Sequence, residues 1–182
     1  MVELKTGSLD SLKQAKQINL EYVYDGMRVG KFDREEDYVA QKVADYNKKQ
    51  EGRGDRWREG WIDDRAGRYQ PKFYELLNKY VSGEKGDLQF GSFKDAKYTL
   101  ILKTTFTEPG WNVGIMRHPA FISADAILVE TQNRTNVLAV ITITKSPGND
   151  AWGNDYDTGE RIQEAYAKAG KELGIFISKK IK

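Results

Sequence analysis

The sequence predicts an α/β (α+β) domain over residues 1–182: a single mixed β-sheet with an antiparallel three-strand meander, packed by about three helices including a long C-terminal one. Three observations predict it. Hydrophobic residues recur at helical spacing in three stretches and at every second position through most of the second half. Three consecutive strands between Tyr98 and Ile143 are joined by short links, which favour antiparallel neighbours. A chain of 182 residues, 39% hydrophobic and 31% charged, supplies one core and a solvated surface, with no apolar run approaching the roughly 18 residues of a spanning helix.

The elements follow in order. Leu9 and Leu12 form a packed lead-in to a first strand, in which Ile18, Leu20, Tyr22 and Tyr24 alternate with mostly polar neighbours up to Asp25-Gly26. Asp33 followed by Glu36 has the spacing of a capping box, and Val39, Val43 and Tyr46 carry a first helix to about Lys49. Gln50 to Tyr69 is the least regular stretch, with four glycines among five Arg and five acidic residues. Trp57 and Trp61, four apart, share a face there and dock an amphipathic turn onto the body. Pro71 suits the first turn of a second helix striped by Phe73, Leu76, Leu77 and Tyr80 and stopped by Ser82-Gly83.

After Gly86 the period changes to two. Leu88 and Phe90 form a short strand, and Tyr98, Leu100, Leu102, Thr104 and Phe106 mark one face of a long one. Ile122, Ala124, Ala126 and Leu128 alternate next, and Val137 to Ile143 is a β-branched run reached through the turn-like Thr131–Asn136. Asp157 and Glu160 form a second capping box. Behind it Ile162, Ala165, Tyr166, Ala169, Leu173, Phe176 and Ile177 make the cleanest stripe in the chain, with Gly170 and Gly174 expected to allow close approach to the sheet.

Charge and composition narrow the chemistry. Residues before Gly91 carry 17 basic and 17 acidic groups, and those after it 12 and 10, so the net +2 sits at the Lys179, Lys180, Lys182 tip. The Arg-rich stretch Arg53–Arg68 is balanced by Glu51, Asp55, Glu59, Asp63 and Asp64, and no nucleic-acid partner is expected. With no Cys and one His, disulfides, thiolate sites and multi-histidine metal centres are excluded, and no cofactor and no metal is expected. There is no G-x-S-x-G elbow, no P-loop and no dinucleotide fingerprint. Asp155 and Asp157 resemble the start of a calcium loop, which then breaks at Gly159 and Tyr166.

What stands out is aromatic and Arg content in loops: Trp111, Met116, Arg117 and His118 between strands, and Trp152 with Tyr156 in the acidic stretch Asn149–Glu160. Such composition marks recognition surfaces. The competing reading is that each tryptophan folds back as a lid on a sheet end.

The run Tyr98-Thr-Leu-Ile-Leu-Lys-Thr-Thr-Phe-Thr-Glu-Pro-Gly, then Pro119-Ala, the strand end Val129-Glu130-Thr131, and Asp155-Tyr-Asp-Thr-Gly-Glu-Arg-Ile-Gln-Glu-Ala-Tyr-Ala-Lys-Ala-Gly-Lys resemble an uncharacterised family of exported proteins of Gram-negative bacteria. The resemblance covers roughly residues 85 to 178. The order of elements is also similar to the α/β domains of envelope lipoproteins and the TolB amino-terminal domain, a likeness of architecture that transfers no residue. The resemblance implies a periplasmic or secreted protein whose signal peptide is absent from this sequence. The expected function is therefore a non-enzymatic binding or assembly module of the cell envelope, engaging an envelope protein or cell-surface component. The alternative is a small-ligand-binding protein or carboxylate-based enzyme with a site near Glu108, Arg117, His118 and the 149–160 loop.

Overall fold

The computed structural model describes residues 1–81, 88–113, 116–148 and 157–181, with the side chains of 112, 113, 116 and 117 left aside. Its elements are β1 (Val2–Gly7), a 3₁₀ turn (Asp10–Gln14), β2 (Gln17–Val23), β3 (Arg28–Val29), α1 (Glu35–Lys49), α2 (Arg53–Asp64), a π-helical turn (Arg65–Tyr69) and α3 (Gln70–Val81). There follow β4 (Gln89–Gly91), β5 (Tyr98–Glu108), β6 (Trp111–Val113), β7 (Met116–His118), β8 (Ala120–Glu130), β9 (Val137–Gly148) and α4 (Thr158–Lys180).

Seven strands form one mixed sheet in the order β1-β9-β8-β5-β2-β4, with β3 beside β5 beyond the end of β2. The β5–β8, β8–β9 and β9–β1 pairs are antiparallel, whereas β2 and β3 run parallel to β5 and β4 runs parallel to β2. A separate two-stranded ribbon, β6–β7, interrupts the connection from β5 to β8. The predicted α+β class, with a mixed sheet and a long C-terminal helix, is the one observed.

One face of the sheet builds the core. Leu100 and Leu102 on β5, Ala124 and Leu128 on β8, and Ile141 and Ile143 on β9 are all at most 1% exposed, and α4 covers them through Ile162, Tyr166, Ala169 and Leu173. Each such Leu or Ile side chain contributes about 1.5–3 kcal/mol of burial. On the other face Asn19 bonds Glu21 and Thr99, and Arg134 in the β8–β9 turn makes a two-point ion pair with Glu21. The alternation along β8 is thus apolar inward and mixed outward, as for an antiparallel sheet with one covered face.

Several expectations are corrected. β1 was not foreseen. The α1 N-cap is Arg34 with no side-chain cap bond; Asp33 instead lies 3.3 Å from Arg28, and Glu35, Glu36 and Asp37 complement the helix dipole in the first turn. Arg53–Tyr69 is continuous helix rather than irregular chain. Gly52 supplies the left-handed turn (φ 71°) between α1 and α2. Pro71 therefore sits inside a helix, and the carbonyl its ring would strike, that of Gly67, belongs to the π turn just before it. The register of β5 against β8 shifts between Thr104 and Phe106, so Thr107 faces the core and Phe106 turns to the other face to stack on Phe121 at 5.4 Å. Gly170 and Gly174 admit α3 and not the sheet: a Cβ at Gly170 would lie 2.4 Å from the Phe73 carbonyl oxygen, and one at Gly174 2.7 Å from that of Leu77. The Ser82-Gly83 stop lies outside the described residues.

Candidate functional site

β3 and the parallel-paired end of β5 finish side by side, whereas β2 stops earlier, level with Lys103; the carboxyl ends of parallel strands are where open sheets place their ligands. Two clusters form at this end of the molecule.

The first is the base of the β6–β7 ribbon. Glu108 closes β5, with its side chain 18% exposed, and its Oε1 accepts the Gly110 N–H at 3.1 Å. Gly110 turns the chain at φ 65°, where a Cβ would lie 2.5 Å from the His118 carbonyl oxygen, so this position requires glycine. The turn sets Trp111 opposite His118, and their rings stack at 6.1 Å with 19° between planes. The Glu108 Oε2 lies 3.8 Å from His118 Nε2, beyond hydrogen-bond reach but within ion-pair range when the imidazole is protonated. Trp111 is 46% exposed and is no core lid.

Arg161, 5% exposed in the first turns of α4, holds this base to the body. It donates to the Pro109 carbonyl through Nε and Nη2 at 3.4 and 3.2 Å, to the Gly110 carbonyl at 3.4 Å and to Thr158 Oγ1 at 3.1 Å. The start of α4 is itself fastened: Asp157 accepts the Gly159 N–H at 2.7 Å and Arg68 at 2.9 Å, and Arg68 reaches Asp64 at 3.0 Å. Burial pushes the Asp157 carboxyl up, but Arg68 and the helix-start N–H groups of Gly159 and Glu160 outweigh it and hold it below the usual range. Burial raises Asp64, against the pull of Arg68 and with the push of Asp157.

The second cluster lies behind the end of β2. Glu35 accepts two bonds from Arg65 and one from Trp61 Nε1 at 2.6 Å, and the Arg65 guanidinium lies 4.2 Å over the Tyr24 ring. Tyr69 stacks flat on Tyr166 at 5.1 Å, and the Tyr166 hydroxyl shares a 2.7 Å hydrogen bond with Thr104. Burial raises the phenols of Tyr22, Tyr69 and Tyr166. None of these residues was singled out from the sequence as functional. Glu35 and Arg65 are 30 positions apart, and no spacing rule joins them.

Of the predicted site residues, Trp111 and His118 come together, with Glu108 beside them. His118 ends a strand and is not in a loop, which corrects that expectation. Met116 and Arg117 lie on β7, their side chains outside what is described. Trp152, Tyr156 and most of the 149–160 loop lie outside the described residues. Among those described, no group of three or more His, Asp or Glu could hold a metal, and no helix is long and apolar enough to cross a membrane.

No protein-family model and no curated protein matches the chain. Among solved structures it is similar to the PelC dodecamer of Paraburkholderia phytofirmans, at 11% identity and a TM-score of 0.41, covering 95% of this chain and 97% of that one. A leucine-to-methionine variant of the same PelC dodecamer matches at 10% identity and a TM-score of 0.34, covering 92% and 96%. Likeness at this level specifies neither an activity nor an assembly for this chain.

Proposed function

We propose that this chain is a non-enzymatic binding or assembly module of the bacterial cell envelope, periplasmic or secreted, and that the β6–β7 ribbon contacts its partner, an envelope protein or cell-surface component. The observation that carries the contact surface is a 46%-exposed Trp111 stacked on His118 above a base fixed by buried Arg161. An aromatic anchor on a fixed base loses little conformational freedom on binding. The compartment rests on the resemblance to exported proteins. The test is a pull-down from envelope extract with the wild type and Trp111→Ala, both checked for melting temperature. Loss of a buried Trp anchor costs about 2 kcal/mol or more, roughly thirtyfold in affinity. Equal recovery of every partner by both proteins would sink the ribbon as the recognition surface.

One observation favours a second reading, a small-ligand or carboxylate-based site: the 3.8 Å approach of Glu108 to His118. It predicts that Glu108→Gln abolishes binding or turnover of a small molecule while leaving the pull-down unchanged. The opposite pattern favours the module.

A further inference from the structure

Between α1 and α2 lies an open recess of about 630 Å³ with a mainly apolar lining. Val39 and Val43 of α1 contribute one side and Ile62 of α2 the other. The sequence places both valines on the apolar stripe of α1, yet each is only half-buried. Ile62 is 44% exposed, more open than any other leucine or isoleucine among the described residues. Branched apolar side chains gathered at an open surface favour a protein partner over a small polar ligand.

The charges around the recess select that partner. Arg65 is taken by Glu35, and Arg58 lies 3.6 Å from Asp55, so these four are answered within the chain. Glu36, on the rim, makes no ion pair among the described residues. It begins a row at four-residue spacing, Glu36, Ala40, Ala44 and Lys48, every member of which is exposed. Lys48 is 78% exposed and approaches Asp45 only to 3.9 Å. Read backwards, this row is its own complement. An antiparallel copy of α1 would set Glu36 against Lys48, Ala40 against Ala44, and Lys48 against Glu36. The alanines at its centre would let the two helix axes come close enough for Val39, Val43 and Ile62 of both copies to share one apolar strip. A parallel copy would set like charge against like.

We propose that a second copy of this chain covers the α1–α2 recess, with the two α1 helices antiparallel across a twofold axis in a four-helix arrangement. The proposal is independent of the ribbon. α1 is about 22 Å long, so the interface is small and the dimer reversible. The test is sedimentation equilibrium of the full chain from micromolar to millimolar concentration, with the melting temperature of each variant measured. The wild type is expected to pass from monomer to dimer, and Ile62→Gln to weaken the dimer at least about tenfold while the monomer keeps its melting temperature. Glu36→Lys and Lys48→Glu should each weaken it by about fivefold, and the variant carrying both should recover the wild-type affinity. Carbodiimide cross-linking of carboxyl to amine gives a second readout. Glu36 and Lys48 stand about 18 Å apart along one helix, so a direct link between them forms only between copies. A chain that stays monomeric at millimolar concentration overturns the proposal, as does a dimer that Ile62→Gln leaves intact. Failure of the double charge reversal to restore the dimer overturns the antiparallel pairing of α1.

Discussion

The α3–α4 layer and the α1–α2 pair are held to the molecule by different physics. In α4, Ile162, Ala165, Tyr166, Ala169, Leu173 and Ile177 are all at most 1% exposed, and its glycines let α3 come into backbone contact. In α1 only Tyr38 is buried. The pair is joined instead by an aromatic knot, Tyr38 to Trp61 at 5.2 Å and Trp57 stacked on Trp61 at 5.6 Å, and latched by the Glu35 bonds to Arg65 and Trp61. The first interface depends on volume and closeness, so it fails when atoms are removed or added. The second depends on direction and charge, so it fails when a bond partner changes while the volume stays the same.

Substitutions break or sharpen that contrast. The largest effect is expected for Leu173→Ala, a loss of about 2–5 kcal/mol in urea unfolding because the side chain is fully enclosed; a loss near zero would show that α4 is not the core helix. Glu35→Gln keeps the shape and removes the charge, and should cost about 1–3 kcal/mol by leaving Arg65 under-satisfied. Native-state hydrogen exchange should show that loss confined to α1–α2, with α3–α4 protected. Gly170→Ala and Gly60→Ala form a matched pair. Both gain helix propensity, but the Cβ at Gly170 meets the Phe73 carbonyl whereas nothing lies within 4 Å at Gly60. The first should lose about 1–3 kcal/mol and the second gain about 0.5–1 kcal/mol.

The smallest effect concerns pH. Asp157 has a lowered folded-state pKa, so its contribution is present above the ordinary carboxylate range and is lost as pH falls through the lowered value. Asp157→Asn preserves the cap acceptor and removes the charge; it should cost no more than about 1 kcal/mol at neutral pH, given the exposure of the pair with Arg68, and nothing once the wild-type carboxyl is protonated. Asp64, raised by burial, has the opposite slope: its contribution is lost as pH rises through its folded value. Thermal melts from acid to neutral pH check both signs.

How much of this was readable before the fold was known differs along the same divide. The α4 stripe and its Asp157 cap are legible because the pattern repeats over six turns and the cap is a local interaction. The inward residues of β8 are legible because its two-residue period persists. The face of Phe106 is not, since a bulge adds one residue of phase that composition does not encode. Helix α2 was hidden by its glycines: Gly54 looks like a breaker, yet a Cβ there would lie 2.2 Å from the Val43 carbonyl oxygen, so tertiary contact with α1 selects it. At the candidate site, Trp111 and His118 were visible as composition, but their pairing across a ribbon was not. Arg161 carries no sequence signal that separates it from the other polar positions of α4; its burial against Pro109 and Gly110 sets it apart.

The π turn at Arg65–Tyr69 acts as a phase adjuster between two helical faces that serve different neighbours. Upstream of it Trp57 and Trp61 point to α1, and downstream Phe73 and Leu77 point into the core. One residue of helix corresponds to about 100° of rotation. The π turn already holds about one residue more than an α turn, so removing exposed Ala66 would let it close to a regular turn with both faces near their present phase. Adding a residue there would instead swing α2 about its axis, carrying Trp61 off Tyr38 and parting Arg65 from Glu35 while α3 kept its seat. The α1–α2 pair is thus keyed to the rest of the molecule by the length of a single turn, as a tooth keys a gear.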